Sequence, residues 1–490
     1  MIAKKATKPA PKAANKPAAV KAGAGKSAKK KKEKSDFPVQ TPRGTRDILP
    51  QEQKYWEYVV ETGKQVIRGF GFQRIDTPIY EEKILFARAV GEETDIVEKE
   101  MFELKSRSAG HQYVLRPEAT ATLCRAYIEH GMRSWPKPVK IFTVGPYFRY
   151  ERPQAGRWRQ HHQFSVEVFG SLAPVTDAEV IFMLHSLFTD LGLEEYTLQI
   201  NSLGEPKERK EYIKLLKDHY RRNRSKLCKD CKERLKTNPL RVLDCKEEKC
   251  LQVSNTAPRL LDHLGDESRT HFETVLAMLD DLKVPYEVTP GLVRGLDYYR
   301  HTVFEFVGKG TEERPALTFA GGGRYDNLVK ALGGRDTPGI GAGVGVERVI
   351  EQVKAEGIDL TITDAPQIFV AHLGEAAKVE ALQLLRELQQ AEIPFAESLD
   401  RDGMQGQLKA ADRINAQWTL IVGHKEVIDK TVILRSMESG MQEVIARSDL
   451  IEELHERLSM TSATAADGTA ASTAGVDEDE EEEEAGKKKK

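Results

Sequence analysis

The sequence predicts an α+β fold: an antiparallel sheet with flanking helices, then a smaller C-terminal α/β domain, with a charged tail at each end. Three patterns support this prediction. Strand and helix patterns mix irregularly as far as Val353, without the strict alternation that a parallel sheet requires. Strand-like and helical segments then alternate through residues 365–455. Both ends of the chain are rich in charge and poor in apolar residues.

A chain of 490 residues is too long for one hydrophobic core, so we expect several domains. Composition and patterning divide it into a Lys-rich disordered extension (1–36), a main domain (37–360) with a charged helical insertion (about 205–286), an α/β domain (365–458) and a disordered acidic and Lys-rich tail (459–490).

The net charge of −2 hides a segregation of charge along the chain. Residues 1–34 hold twelve Lys and one Glu, whereas residues 477–484 are eight consecutive acids. The basic segment is either a solubilising extension or an electrostatic arm that concentrates nucleic acid without reading its sequence. The sequence leaves both alternatives open.

The sequence also indicates a compartment. It has no run of 18 apolar residues, and its basic N-terminal segment lacks the apolar stretch of a secretory signal. Five cysteines in so long a chain argue against a disulfide scaffold and for a reducing compartment. We therefore expect a cytoplasmic protein without a membrane partner.

The main domain opens with an amphipathic helix. Apolar and aromatic residues from Tyr55 to Phe70 have helical spacing, which predicts a helix from about Gln51 to Gly69. A strand is expected through Phe72–Ile79, and Pro78 within it indicates a sheet edge or a contact region. This helix and strand are therefore candidates for a subunit interface.

A basic hairpin joins two strands between residues 144 and 170. Strand alternation places Gln163, Ser165 and Glu167 on one face of the second strand and apolar residues on the other. The preceding loop holds four arginines, namely Arg149, Arg152, Arg157 and Arg159. Guanidinium groups this close repel one another unless an anion is present, and phosphate is the obvious anion. A solvated basic loop would explain the arginines but not a glutamate in a buried strand.

Glycines alternate through the stretch TPGIGAGVGVER. One face of the predicted strand carries Gly339, Gly341, Gly343 and Gly345, and the other face is apolar. Glycine weakens a strand interior, so four in alternation predict that something flat approaches their face. Arg348 follows at the start of a helix, where its planar guanidinium can stack on an aromatic ring. The pattern predicts a slot for a nucleobase.

Two further stretches combine cations with phenols. Arg294 precedes GLDYY, which contains Tyr298 and Tyr299, and the glycine-rich stretch FAGGGRY ends in Arg324 and Tyr325. Taken alone, these tyrosines are explained as ordinary strand residues. Taken with the basic hairpin and the glycine strand, they indicate a polar substrate site.

Together these stretches resemble the histidyl-tRNA synthetases of class II, of the bacterial type, over residues 38–455. TPRGTRDILP is similar to the family's opening, and the helix and strand ending at Pro78 resemble class motif 1. FRYERPQAGRWRQHHQF and GAGVGVER resemble motifs 2 and 3, while LVRGLDYY and AGGGRYDNL resemble the two histidine-specific motifs. The resemblance implies a homodimer built through motif 1, a six-stranded antiparallel catalytic sheet and a C-terminal anticodon-binding domain.

The resemblance implies a ligase that activates L-histidine with ATP to histidyl-adenylate, releases pyrophosphate, and transfers histidine to the 3′ end of tRNA(His). Arg149 would contact the α-phosphate and the histidine carboxylate, and Arg294 would act from the opposite side as the catalytic arginine. Glu151 would receive the adenine amino group, and Arg348 would stack on adenine. Arg157 would hold the terminal phosphates, with Mg²⁺ shared by the nucleotide.

The resemblance also implies a polar pocket for histidine. Glu167 and Tyr299 would read the two imidazole nitrogens, while Glu118, Thr120 and Gln163 would hold the α-amino group. Such a pocket rejects analogues because they leave its own polar groups unpaired. The full expected set is Glu118, Ala119, Thr120, Arg149, Gln163, Glu167, Arg294, Tyr298, Tyr299 and Tyr325.

Four cysteines in the charged segment have the spacing C-x2-C-x13-C-x4-C: Cys228, Cys231, Cys245 and Cys250. This spacing is compatible with a tetrahedral structural Zn²⁺. Many members of the resembled family lack these cysteines, so the spacing alone leaves zinc open. A catalytic thiol is not expected, because the implied reaction needs no covalent nucleophile.

Two other functions share the implied fold. A catalytically silent paralogue would regulate histidine biosynthesis by binding another enzyme, but such proteins typically lack the anticodon domain and the histidine-specific motifs, both of which the sequence contains. A sensor of uncharged tRNA would stand beside a kinase domain. The sequence has neither a kinase glycine loop nor an HRD motif.

Overall fold

The computed structural model describes residues 39–91, 96–105, 110–151, 157–293, 298–310, 316–358, 360 and 366–458. Both predicted tails lie outside these residues, as do Arg152 and Arg294. No helix within the described ranges is both long enough and apolar enough to span a bilayer.

An eight-stranded sheet forms the centre of the main domain. In spatial order its strands are β1 (Gln73–Arg74), β5 (Val139–Phe148), β6 (Gln160–Phe169), β11 (Gly339–Gly345), β10 (Leu317–Arg324), β9 (Arg300–Gly308), β7 (Tyr196–Ser202) and β8 (Glu287–Val288). The six strands from β5 to β7 pair antiparallel. The edge strands β1 and β8, of two residues each, pair in parallel. The expected antiparallel sheet is therefore confirmed, with a short parallel strand added at each edge.

The prediction of one strand through Phe72–Ile79 is wrong. β1 ends at Arg74, and the next strand, β2 (Tyr80–Glu82), pairs with β4 (Tyr113–Leu115) in a separate small sheet completed by β3 (Glu103–Leu104). Between β1 and β2 the Arg116 guanidinium donates hydrogen bonds to the carbonyl and hydroxyl oxygens of Thr77, at 2.9 and 3.0 Å. A buried side chain thus takes the place of a strand ladder next to Pro78, which has no N–H to offer.

Helices pack against both faces of the sheet and fill the chain between β7 and β8. Those outside that segment are α1 (Pro50–Gly69), α2 (Lys83–Val90), α3 (Thr120–Glu129), α4 (Pro174–Asp190), α9 (Leu328–Ala331) and α10 (Val346–Ala355). Those within it are α5 (Pro206–Arg222), α6 (Lys229–Thr237), α7 (Glu248–Ser254) and α8 (Asp266–Asp281). Single turns of 3-10 helix occur at Met132–Ser134, Arg224–Lys226, Pro239–Val242 and Leu260–His263, and a π-helical turn at Ile96–Glu100. The helix predicted at Gln51–Gly69 is confirmed as α1.

The alternation predicted for β6 and β11 separates a core face from a polar face. Apolar residues of both strands join one core with α1, α4 and α10: Phe164, Val166, Val168, Ile340, Ala342 and Val344. The opposite face of β6 carries Gln163, Ser165 and Glu167, as predicted, and the last two are buried. This polar face is where the candidate site lies.

Residues 366–458 form a five-stranded mixed sheet with its own core. Its order is β13 (Phe395–Glu397), β12 (Ile368–His372), β14 (Trp418–Val422), β15 (Thr431–Ser436) and β16 (Gln442–Ala446). The first three strands pair in parallel and the last two antiparallel. The helices are α11 (Glu375–Gln390), α12 (Met404–Arg413), α13 (His424–Asp429) and a last one over 450–458. Strands β12 to β15 and helices α11 and α12 confirm the predicted alternation, whereas α13, β16 and the last helix are not among the predicted elements.

Candidate active site

A cavity of about 430 Å³ opens on the polar face of the large sheet. It is lined by β6, β9, β10 and β11 and by the segments that flank them. Nine residues predicted for the site line it: Glu118, Thr120, Arg149, Glu151, Arg157, Gln163, Tyr298, Tyr299 and Arg348. Residues more than 200 positions apart in the sequence therefore meet in one cleft, as a ligand-binding site requires.

Two further predicted residues lie just behind the cavity wall. Thr120, on the wall, donates a hydrogen bond of 2.7 Å from its hydroxyl to Oε1 of Glu167. The hydroxyl of Tyr325 donates to Oε2 of the same carboxyl group. Burial raises the pKa of Glu167 to about 8, although both of these hydrogen bonds lower it. Near neutral pH this group can therefore either donate or accept a hydrogen bond.

The alternating glycines make room for these side chains. A Cβ at Gly341 would overlap the carboxyl group of Glu167, and one at Gly339 would overlap the ring of Tyr325. The prediction that all four glycines face a flat ligand is thus wrong for these two, because protein side chains cover them. Gly343 and Gly345 do line the cavity, beside Arg348, although a Cβ at Gly343 would also overlap the side-chain amide of Gln163.

Glu118 stands at the N-terminus of α3. Its carboxylate accepts hydrogen bonds from the backbone N–H groups of Thr120 and Ala121, at 2.7 and 2.8 Å. Burial nevertheless raises the pKa of Glu118. Ala119 is buried, with φ of −96° and ψ of −37°, a right-handed conformation that alanine adopts freely.

Three arginines and one carboxylate form the basic part of the cavity. Glu151 pairs with Arg157 at 2.9 Å and with Arg149 at 3.9 Å. Burial lowers the pKa of Arg348, and the positive charges of Arg157 and Arg149 lower it further. An anion bound among these guanidinium groups would relieve their mutual repulsion.

Arg159 does not belong to this set, contrary to prediction. Its guanidinium lies 3.9 Å from the ring centroid of Tyr150, and its Nε donates to the Glu151 carbonyl oxygen at 3.2 Å. It therefore stabilises the hairpin instead of facing the cavity. Arg152 and Arg294 fall on residues that the structure does not describe.

Sequence reasoning missed several residues of the wall. His161 could have been found, because it lies two residues before Gln163 and so shares its face of β6. Burial, together with Arg149 and Arg348, lowers the pKa of His161 to about 3, so its imidazole is neutral. Arg241 comes from the 3-10 turn Pro239–Val242, and nothing in its charged surroundings singles it out.

The four cysteines converge. Their Sγ atoms all lie within 4.8 Å of one another, and three of the four residues are buried. The Sγ atoms of Cys228 and Cys245 are 3.9 Å apart, close to the spacing of about 3.8 Å that Zn–S bonds of about 2.3 Å give in a tetrahedron. The backbone N–H of Cys228 donates to Sγ of Cys250 at 3.2 Å. The donor set and its spacing fit a tetrahedral metal ion.

Comparison with known proteins agrees with this site. The family model for histidyl-tRNA synthetase matches residues 44–349, and a model for an anticodon-binding domain matches residues 367–457. A histidine--tRNA ligase of Geobacillus sp. (strain WCH70) is 44% identical over 86% of this chain and 99% of its own. One from Dehalococcoides mccartyi is 42% identical over 86% of this chain and 100% of its own. The crystal structure of apo histidyl-tRNA synthetase from S. aureus is 36% identical, with a TM-score of 0.71 over 85% of this chain and 99% of that one. This chain therefore belongs to the histidyl-tRNA synthetase family.

Proposed function

We propose that the cavity carries out both steps of charging tRNA(His) with L-histidine. In the first step a histidine carboxylate oxygen bonds to the α-phosphorus of ATP, and pyrophosphate leaves. In the second a hydroxyl of the terminal ribose of the tRNA attacks the carbonyl carbon of histidyl-adenylate, and AMP leaves. One observation carries the proposal. Arginines line one part of the cavity wall, and a buried carboxyl group hydrogen-bonded to a phenol lies behind another part.

The arginines supply the charge that the first step needs. Negative charge builds on the phosphate oxygens as the new bond forms, so fixed cations lower the barrier. Arg149 would contact the α-phosphate and the histidine carboxylate, and Arg157 the terminal phosphates. Arg348 would stack on adenine, whose amino group Glu151 would receive. Each of these four lines the cavity, which supports the assignment.

Arg294 is the catalytic arginine of the proposal, acting on the α-phosphate from the side opposite Arg149. Mg²⁺ would arrive with the nucleotide, and carboxylates on the cavity wall, such as that of Glu305, fit its preference for oxygen ligands. Mg²⁺ would supply positive charge to the leaving pyrophosphate.

Glu167 with its hydroxyl partners accounts for the choice of histidine. A neutral imidazole has one nitrogen that donates a hydrogen bond and one that accepts. Tyr299, on the wall, and the set of Glu167, Thr120 and Tyr325 offer groups of both kinds. An amino acid without these nitrogens would leave buried polar groups unpaired, at a cost of about 1–3 kcal/mol each. Glu118, Thr120 and Gln163 would hold the α-amino group.

We extend the proposal to the rest of the chain. The main domain (37–360), with its helical insertion at about 205–286, would hold the cavity, and residues 365–458 would bind the anticodon of tRNA(His). The four converging cysteines would hold a structural Zn²⁺. All five cysteines are free thiols, which supports a cytoplasmic location.

The active unit would be a homodimer. Large apolar side chains that a monomer leaves exposed cluster on and beside the small sheet β2–β4–β3: Ile79, Tyr80, Ile84 and Leu104. Their exposed fractions run from 39% to 52%, which favours a surface covered by a partner. Light scattering on the purified protein should give the mass of two chains.

The test of function is ATP–pyrophosphate exchange with each of the twenty amino acids. Exchange with histidine alone is expected, followed by transfer to tRNA(His) and no other tRNA. Exchange with a different amino acid would refute the pocket assignment. No exchange at all would favour the silent regulatory paralogue.

A further inference from the structure

One arginine of the cavity comes from outside the sheet. Arg241 lies in the turn Pro239–Val242, within the helical segment between β7 and β8, yet its side chain lines the cavity together with Glu305 and Tyr298. Within the described residues, its buried Nε has no hydrogen-bond partner, and the nearest carboxylate oxygen, on Asp244, is 3.8 Å away. A buried cationic donor at a cavity wall is ready for an acceptor that the protein itself does not supply.

The other arginines of the wall are already engaged. Nε of Arg149 donates to the Pro117 carbonyl oxygen at 2.9 Å, and Arg157 pairs with Glu151 at 2.9 Å. Arg348 donates to the carbonyl oxygen of Thr318. Arg241 thus has the least satisfied of these four guanidinium groups, and a phosphate oxygen is the acceptor that a guanidinium group favours.

The turn that carries Arg241 is held by the cysteine cluster. Four residues after Arg241, the backbone N–H of Cys245 donates to the Val242 carbonyl oxygen at 3.2 Å. On the other side, the guanidinium of Arg234 donates to the carbonyl oxygen of Arg241 itself at 3.2 Å. Arg234 belongs to α6, whose N-terminus is capped by Cys228. The chain from Cys231 to Cys245 is thus a loop closed by the cluster, with Arg241 near its end.

We propose that a Zn²⁺ ion bound by Cys228, Cys231, Cys245 and Cys250 clamps this loop so that Arg241 reaches into the cavity and contacts a phosphate of the substrate. The inference rests on the proposed ligase function. The cysteines act as positioning residues, and Arg241 is the group that touches the substrate. The phosphate belongs either to ATP or to the 3′-terminal nucleotides of tRNA, and the two sources act at different steps.

The clamp acts through chain entropy and packing. Without a metal, the loop is held by contacts between thiols and by a few backbone hydrogen bonds. Thiols are weak hydrogen-bond donors and acceptors, so their contacts stabilise the loop little. Four Zn–S bonds would fix both ends of the loop. The guanidinium group of Arg241 would then stay in one position at the cavity wall. The large sheet does not include the loop, so loss of the metal should leave that sheet folded.

The first experiment measures the metal itself. Elemental analysis of the full-length enzyme, purified without added metal, should give about one zinc per chain, because a structural site with four thiolate ligands binds a single ion. Cys245→Ser should lower that ratio strongly while circular dichroism stays close to that of the parent. If Cys245→Ser fails to fold, zinc is removed from the parent by a chelator and the exposed thiols are counted with a disulfide reagent. A parent protein with no bound metal overturns the proposal.

The second experiment separates the two phosphate sources. Arg241→Ala should slow histidine-dependent pyrophosphate exchange if the phosphate is that of ATP. It should slow only the single-turnover transfer from adenylate to tRNA if the phosphate is that of tRNA. Loss of one charge-assisted hydrogen bond predicts a decrease of roughly 10- to 100-fold in the affected step. Lys236→Ala, which removes an exposed cation of α6, is the matched control and should change neither step.

Combining the variants tests the link between metal and arginine. Cys245→Ser should slow the same step as Arg241→Ala, and the double variant should be no slower than the slower of the two, because both remove one contact. The clamp would be refuted if the rate loss of the double variant equalled the product of the two single losses. It would also be refuted if the zinc-free enzyme kept full activity. A parent without histidine-dependent exchange would instead refute the ligase function, so the two failures are distinguishable.

Discussion

The hydroxyl of Tyr325 donates a hydrogen bond to Oε2 of Glu167, and both side chains are almost fully buried. The partner hydroxyl of Thr120 occupies the other carboxyl oxygen, so Glu167 is held at two points. Burial outweighs both hydrogen bonds and raises the pKa of the carboxyl group to about 8. The carboxyl group behind the wall of the proposed histidine pocket is therefore largely protonated at neutral pH in the free protein.

Glu167→Gln is expected to change how stability depends on pH. A carboxyl group has a pKa near 4.5 when unfolded, so between pH 4.5 and about 8 the folded parent keeps a proton that the unfolded chain has lost. The free energy of unfolding of the parent should then fall relative to the variant as pH rises through this window. Urea denaturation at about pH 5, 6.5 and 8 measures both proteins, and the stability that the parent loses relative to the variant between pH 5 and pH 8 is the predicted effect.

The exposed residue Glu273 provides the control for this series. Glu273→Gln removes one carboxylate from the surface and so reports the effect of net charge alone. A constant difference between Glu167→Gln and the parent across the pH series would contradict a raised pKa. The same variant should raise the KM for histidine more than the KM for ATP, since the proposed contact is with imidazole.

Gly341→Ala should destabilise the site. The new Cβ would overlap the Glu167 carboxyl group and lie 2.5 Å from the backbone carbonyl oxygen of Val166, which cannot move without disturbing the sheet. Overpacking of this kind costs about 1–3 kcal/mol, measured as the free energy of unfolding. Gly345→Ala is the control, because its Cβ would have no neighbour closer than 3.6 Å. Equal stabilities of the two variants would show that the strand relaxes freely.

Asp177→Ala should destabilise the domain strongly. Arg324 is fully buried and donates from Nε to Oδ1 of Asp177 at 3.1 Å, while His271 pairs with Oδ2 at 2.8 Å. Removing the carboxylate leaves a buried cation without its main partner, at a cost of about 3–5 kcal/mol. Asp336→Ala breaks an exposed pair with Lys330 and should cost about 0–1 kcal/mol. Similar losses in the two variants, seen by chemical denaturation, would argue that Arg324 finds another partner.

Arg294→Ala should leave ATP binding largely intact and slow adenylate formation by orders of magnitude. The proposed role of Arg294 is to stabilise charge that develops only in the transition state, so the substrate complex loses little. Nucleotide titration measures binding, and a rapid-quench assay of histidyl-adenylate measures the chemical step. Near-normal turnover of this variant would remove Arg294 from the proposed mechanism.

Local pattern was sufficient for much of this molecule. The period of two in β6 placed Gln163, Ser165 and Glu167 on one face, and helical spacing placed α1 within a residue of its start. Where a long-range partner replaces a local rule, prediction failed. The Arg116 guanidinium, not a neighbouring strand, hydrogen-bonds the backbone at Thr77, and the guanidinium of Arg159 packs on the ring of Tyr150 and does not face the cavity.

The sequence by itself determined the family, the order of the elements and most of the cavity's polar groups, because motif spacing and side-chain period are properties of neighbouring residues. Only the tertiary structure decided what the glycines accommodate and which arginines line the cavity. Gly341 makes room for Glu167, a residue of another strand, and Arg241 enters from a separate helical segment. Such contacts form between residues that are far apart in the sequence, and the spacing of neighbouring residues does not show which distant residues the fold brings together.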